Sequence, residues 1–168
     1  MDLICLIKSK SSLVRKIKFF FFFKPVVFSY NHCIRQASGY CCIEYSVCST
    51  DADNFSLDNE AMPADTMGAS LLGTECLAVG TGTDTTTTGD YIVIEGSGGT
   101  CGTSSLSKYC GQKLNPVTAK KISVPICDCT PPFSVGIFTD AWGDAQSAMV
   151  TNRGICLNYR QLPCTNTT

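Results

Sequence analysis

Histidine is nearly missing from this chain: His32 is the single one among 168 residues. One imidazole excludes a metal site built on histidine pairs, and any Ser-His-Asp or Cys-His machinery would have to use His32 as its base. Nothing around it has the form of a nucleophile elbow, so it reads as a lone surface histidine and the chain as one without catalytic residues. Charge is also sparse, at 16% of residues. The few carboxylates are scattered, without a recognisable acid/base pair. No apolar run reaches the ~20 residues that a membrane-spanning helix needs. After Tyr40 no amphipathic helical period of useful length occurs; "DAQSAMV" fits a turn of helix and no more. The Gly-rich "EGSGGTCG" follows a strand-like run but lacks the Gly-Lys-Ser/Thr ending of a phosphate loop, so it reads as a hairpin loop.

Cysteine, by contrast, is abundant. There are 12, of which eleven follow residue 30: Cys33, Cys41, Cys42, Cys48, Cys76, Cys101, Cys110, Cys127, Cys129, Cys156 and Cys164. So many thiols in one small chain point to disulfides and an oxidising compartment. The rival, an intracellular zinc protein, usually draws on paired Cys-x-x-Cys or Cys and His knuckles. Cys41-Cys42 and Cys127-Asp128-Cys129 have different spacings. Cys127 and Cys129 share a face of an extended segment and are expected to serve different partners; adjacent Cys41 and Cys42 point to opposite faces. Two sequons, at Asn54 and Asn166, are compatible with secretion and N-glycosylation.

The formal net charge of -1 conceals a division. Residues 1–30 carry six Lys or Arg against one acid, and residues 31–168 carry seven against thirteen. A mildly acidic body argues against a nucleic-acid partner. Within that body, period-two alternation marks several strands. Ile43, Tyr45 and Val47 share one side of "CCIEYSVC", and Ile92 and Ile94 share one side of "DYIVIEG". Phe133, Val135 and Ile137 do so in "PFSVGIFTD", and Ile155, Leu157 and Tyr159 in "GICLNYRQL"; "NFSL" near Phe55 is a shorter strand. Short strands, Gly/Thr-rich connections and no crossover helices predict an all-β antiparallel sandwich.

Four blocks occur in an order that resembles CUB domains: "DYIVIEGS" from Asp90, "KYCGQKL" around Cys110-Gly111, "FSVGIFTD" ending at Asp140, and "RGICLNY" from Arg153 to Tyr159. "YNHCIRQASGYCCIEYSVC", "PICDCTPPFSVGIFTD" and "NRGICLNYRQLPC" further resemble the cysteine-rich CUB-like proteins of invertebrates. The resemblance implies a secreted jelly-roll β-sandwich, stapled by disulfides, that binds an extracellular protein or glycan and has no catalytic activity. The alternative it leaves open is the non-catalytic part of a larger secreted protease or other multidomain extracellular protein. The family resemblance also implies a calcium ion held by Asp90 and Asp140; Glu75, fifteen residues before Asp90, is the nearest candidate for the accompanying glutamate. It further implies a Cys76–Cys110 bridge, with Cys101 as a competing partner.

The resemblance covers residues 30–168 as one domain and leaves 1–29 outside it. Phe19 to Tyr30 is too short for a bilayer and is interrupted by Lys24-Pro25. As a signal peptide it lacks a small-residue cleavage site. Five consecutive phenylalanines, Phe19–Phe23, are also what a pyrimidine-rich intron end would encode, and Phe28-Ser29 can contain a splice acceptor. On that reading the domain is truncated at its N-terminus, the family's partner for Cys33 lies in a lost exon, and residues 1–29 at best stand in for a missing strand. Transcript reads across this junction decide the matter.

Overall fold

Residues 15–19, 28–49, 54–57, 69–76, 90–98, 107–139 and 154–164 are described by the computed structural model. The strands are β1 (Arg15–Phe19), β2 (Phe28–Ile34), β3 (Tyr40–Val47), β4 (Phe55–Ser56), β5 (Ser70–Leu72), β6 (Tyr91–Val93), β7 (Ser97–Gly98), β8 (Lys108–Gly111), β9 (Ile126–Asp128), β10 (Phe133–Thr139) and β11 (Gly154–Pro163). A 3-10 turn, Gly73–Cys76, follows β5, and the described residues contain no α-helix. "DAQSAMV" lies outside them.

Two antiparallel sheets result. One runs β1-β11-β3-β9-β7, with β4 also on β11; the other runs β2-β10-β6-β8-β5. The period-two alternation decides which side chains meet between them. Ile43 and Tyr45 of β3, Ile155 and Leu157 of β11 and Ile126 of β9 come from the first sheet. Ile92 of β6, Tyr109 of β8 and Phe133, Val135 and Ile137 of β10 come from the second. Each such aliphatic or aromatic side chain contributes about 1.5–3 kcal/mol when fully buried. The sandwich expected from the alternation is therefore the fold observed.

β3 is the most heavily tied strand. Its long register with β11 runs from Leu157↔Val47 to Pro163↔Tyr40. Cys41–Cys164 and Cys48–Cys156 fasten the two ends of that pair, and Cys42–Cys129 ties β3 to the segment after β9. Adjacent Cys41 and Cys42 thus reach different partners on opposite sides, as alternation requires. These bridges close loops of 123, 108 and 87 residues. A loop near that length removes about 4–5 kcal/mol of chain entropy from the unfolded state.

Two strands begin ahead of the boundary expected at Tyr30. β2 starts at Phe28, and β1 pairs with β11 in the register Arg15↔Tyr159 to Phe19↔Ile155. Lys16 and Lys18 are exposed on β1 whereas Ile17 enters the core. A Lys-Ile-Lys edge supplies one apolar contact and discourages further strand pairing.

The run "DYIVIEGS" changes sheets midway. β6 belongs to one sheet and β7 pairs with β9 in the other, so the chain turns at Glu95–Gly96 and does not continue as one strand. Gly96 makes the corner with φ +61, and a Cβ there would lie 2.1 Å from Thr130 Oγ1. Gly39, with φ +82, has nothing within 4 Å of that position. Gly39→Ala is therefore expected to cost only the left-handed backbone penalty, about 1–2 kcal/mol. Gly96→Ala should cost at least ~1 kcal/mol more, from the added overlap. Chemical denaturation of the two variants compares them; equal losses would contradict the corner's close packing.

Candidate functional site

Asp90 immediately precedes β6 and is fully buried. The antiparallel register Phe138↔Tyr91 sets the end of β10 beside the head of β6. Thr139, the last residue of β10, is also buried at this edge. Asp140, next in the chain, lies outside the described residues. Glu75 has its backbone in the 3-10 turn, while its side chain lies outside the description. The turn is drawn back to β8 by Cys76–Cys110, and Cys110 directly follows Tyr109, the register partner of Ile92. The pairing is the one implied by the resemblance; Cys101 lies outside the described residues. A buried carboxylate is costly unless it is hydrogen-bonded, ion-paired or bound to a cation. Asp90 is engaged within the fold, and a carboxylate at a loop-rich strand edge has the hard oxygen donors that a calcium ion takes.

Cys33, whose family partner is expected in a lost exon, is nonetheless disulfide-bonded in this chain; Cys127 is bonded too, and no described cysteine is free. Cys127 and Cys129 have different partners, since Cys129 is joined to Cys42. Of the two sequons, Asn166 is outside the described residues. Asn54 is half-buried and its side-chain amide donates to Ser49 Oγ. Phe55 and Ser56 of that sequon are buried in β4.

Sequence reading does not find the polar seam between the sheets. Tyr109 of β8 shares a 2.6 Å hydrogen bond with Ser97 Oγ, and Ser97 Oγ donates to the Ile94 carbonyl at 2.6 Å. On the opposing sheet, Asp128 is buried and accepts a 2.6 Å bond from the Thr130 amide and another from the Thr130 hydroxyl. Tyr45 faces this seam with no hydrogen-bond partner for its hydroxyl. Burial, then the nearby Asp128 carboxylate, raises the Tyr45 hydroxyl far above the ordinary phenol range. Burial also raises Tyr109, against an opposing contribution from the Ser97 hydrogen bond. Both phenols stay protonated at physiological pH, which makes them hydrogen-bond donors and not bases. The only sequence signal is Asp128 itself, an acid wedged between two cysteines.

His32 occupies an inward-facing position of edge strand β2, opposite Val135 and in phase with buried Ile34. It is half-buried, more enclosed than a surface histidine, because alternation turns it toward the core side. Burial lowers its pKa.

Together these features define a cysteine-stapled antiparallel β-sandwich with its chain turns and loops carrying the candidate ligand groups. The family model for the animal CUB domain matches residues 26–162, and the chain belongs to that family. CUB domains are generally non-catalytic binding modules of the extracellular space. Comparison with curated proteins finds no match. Among the described residues, no helix is long and apolar enough to cross a membrane.

Tyr45→Phe should leave stability nearly unchanged, since it removes a hydroxyl without a partner. Tyr109→Phe should cost about 1 kcal/mol by deleting the bond to Ser97. Urea unfolding of both variants checks the contrast, which a larger loss at Tyr45 would contradict.

For His32, a folded pKa below the ordinary 6.5 means that the unfolded chain binds more protons in the interval between the two values. Stability is therefore complete above 6.5 and falls as pH drops toward the folded pKa. His32→Gln should flatten this part of a melting-temperature profile. An unchanged profile would assign the acid sensitivity elsewhere.

Proposed function

We propose that this chain is a secreted, non-catalytic recognition module that binds an extracellular protein or glycan. The observation that carries this reading is the animal CUB domain match across residues 26–162, over a sandwich whose described cysteines are all oxidised. Oxidised cysteines favour the extracellular compartment, where such bridges persist. The two sequons, Asn54 and Asn166, are proposed as N-glycan sites. At Asn54 the buried Phe55 and Ser56 favour attachment before β4 closes onto β11.

In the same reading, Asp90 and Asp140 supply carboxylate ligands to one calcium ion at the edge where β6 begins and β10 ends. The burial of Asp90 supports the first ligand. Calcium would contribute a fixed positive charge there, neutralising the carboxylates and ordering the adjoining loops for a partner.

Secreted protein stripped with chelator and then returned to millimolar calcium should melt at a higher temperature. The gain is about 2.7 kcal/mol when calcium stands near a hundred times its dissociation constant. Asp140→Asn should remove the calcium-dependent part without unfolding the calcium-free protein, and Asp90→Asn should do the same if it folds. No calcium-dependent shift in the unmutated protein would remove calcium from the proposal. Saturable binding on a glycan array or to immobilised extracellular proteins tests recognition itself, and its absence from both would count against the module reading.

A further inference from the structure

The large hydrophobic side chains exposed among the described residues are Val117 and Ile122, at 51% and 66% relative exposure. Both lie on the connection between β8 and β9. From Gly111 to Cys127 this connection holds three lysines, Lys113, Lys120 and Lys121, and no Asp or Glu. The surrounding body has seven Lys or Arg against thirteen acids over residues 31–168, so nearly half its cations are concentrated on one loop. Among the described residues no ion pair engages Lys113 or Lys120.

The loop is built to hold this face outward. Leu114 is fully buried beneath it. The Val124 amide donates to the Leu114 carbonyl at 2.9 Å, and the Leu114 amide to Ser123 Oγ at 3.1 Å. Asn115, also buried, donates from its side chain to the Ile122 carbonyl at 3.0 Å and accepts from the Val117 amide at 2.9 Å. Ser70, at the start of β5, clasps the tip: its hydroxyl donates to the Val117 carbonyl at 2.7 Å and accepts from the Lys120 amide at 3.0 Å. The Ser70 carbonyl accepts from the Ala119 amide at 2.8 Å, although Ala119 lies in the left-handed region with φ 59. A fixed loop that presents aliphatic side chains to solvent loses little entropy on binding.

We propose that the loop Leu114–Val124 docks on an anionic lipid surface, with Val117 and Ile122 entering the boundary between headgroups and acyl chains and the lysines facing lipid phosphates and carboxylates. Charge complementarity selects an anionic occupant. The side-chain types select a membrane over a protein: protein interfaces favour Trp, Tyr and Arg and are depleted in Lys, whereas aliphatic tips among snorkelling lysines suit a bilayer interface. This inference goes beyond the recognition reading and does not depend on calcium or on Asp90.

The test is co-sedimentation of the secreted protein with vesicles of phosphatidylcholine alone and of phosphatidylcholine mixed with phosphatidylserine, at low and high salt, with heparin retention measured in parallel. Binding should be confined to the mixed vesicles and weaken with salt. Lys120→Ala should reduce it about fivefold. Val117→Ser and Ile122→Ser should each reduce it about tenfold. Melting temperatures should stay unchanged, since these side chains are on the surface. Failure to bind mixed vesicles overturns the proposal. So does binding that needs the lysines, ignores the two serine substitutions and is matched by heparin, an outcome that would assign the loop to a sulfated polymer.

Discussion

The pairing of β3 with β11, closed covalently near both ends, is the constraint on which the rest of the structure depends. Cys48–Cys156 and Cys41–Cys164 bracket a register running from Val47 to Tyr40. Their half-cystines are more than a hundred residues apart in sequence, so chain closure between these strands is entropically expensive without a crosslink. Once the pair is closed, β1 and β4 add to β11, and β9 adds to the other side of β3. Cys42–Cys129 ties that third neighbour in. The inward side chains of this sheet, Ile43, Tyr45, Ile126, Ile155 and Leu157, then offer the apolar face on which the second sheet packs.

A scaffold fixed in this way leaves its connections free to differ in chemistry. At one strand edge a buried aspartate heads β6, and the Cys76–Cys110 bridge fastens the 3-10 turn to β8. Between β8 and β9 a basic loop with aliphatic tips is held by Ser70 from a neighbouring strand. Between the sheets the Ser97, Tyr109, Asp128 and Thr130 contacts satisfy polar groups that would otherwise weaken the core. These features depend on side chains far apart in sequence, and each is held by hydrogen bonds or disulfides anchored in strands.

That division also explains what was legible beforehand. Alternation is a local property, so the inward positions of β3, β10 and β11 could be read directly: Ile43, Phe133, Val135, Ile137, Ile155 and Leu157 are all buried. Block order carried the family, because it depends on short strings that survive intact. The change of sheet at Gly96 was not legible, since a glycine in a turn looks alike whether the chain returns to the same sheet or crosses to the other. His32 could be seen as solitary, but its half-buried position follows from the register Val135↔His32 across one hundred residues of chain. The Ser70 clasp was likewise hidden, because its partners lie about fifty positions away. Asp90 could be singled out from the family pattern, and only the fold reveals that it is buried.

The disulfide map of the protein, obtained by peptide mass spectrometry under non-reducing conditions, tests this account most directly. It should contain Cys41–Cys164, Cys42–Cys129, Cys48–Cys156 and Cys76–Cys110 as the dominant linkages. Cys41 and Cys42 joined to partners other than these, or a majority of free thiols in protein folded under oxidising conditions, would contradict the stapled β3–β11 core.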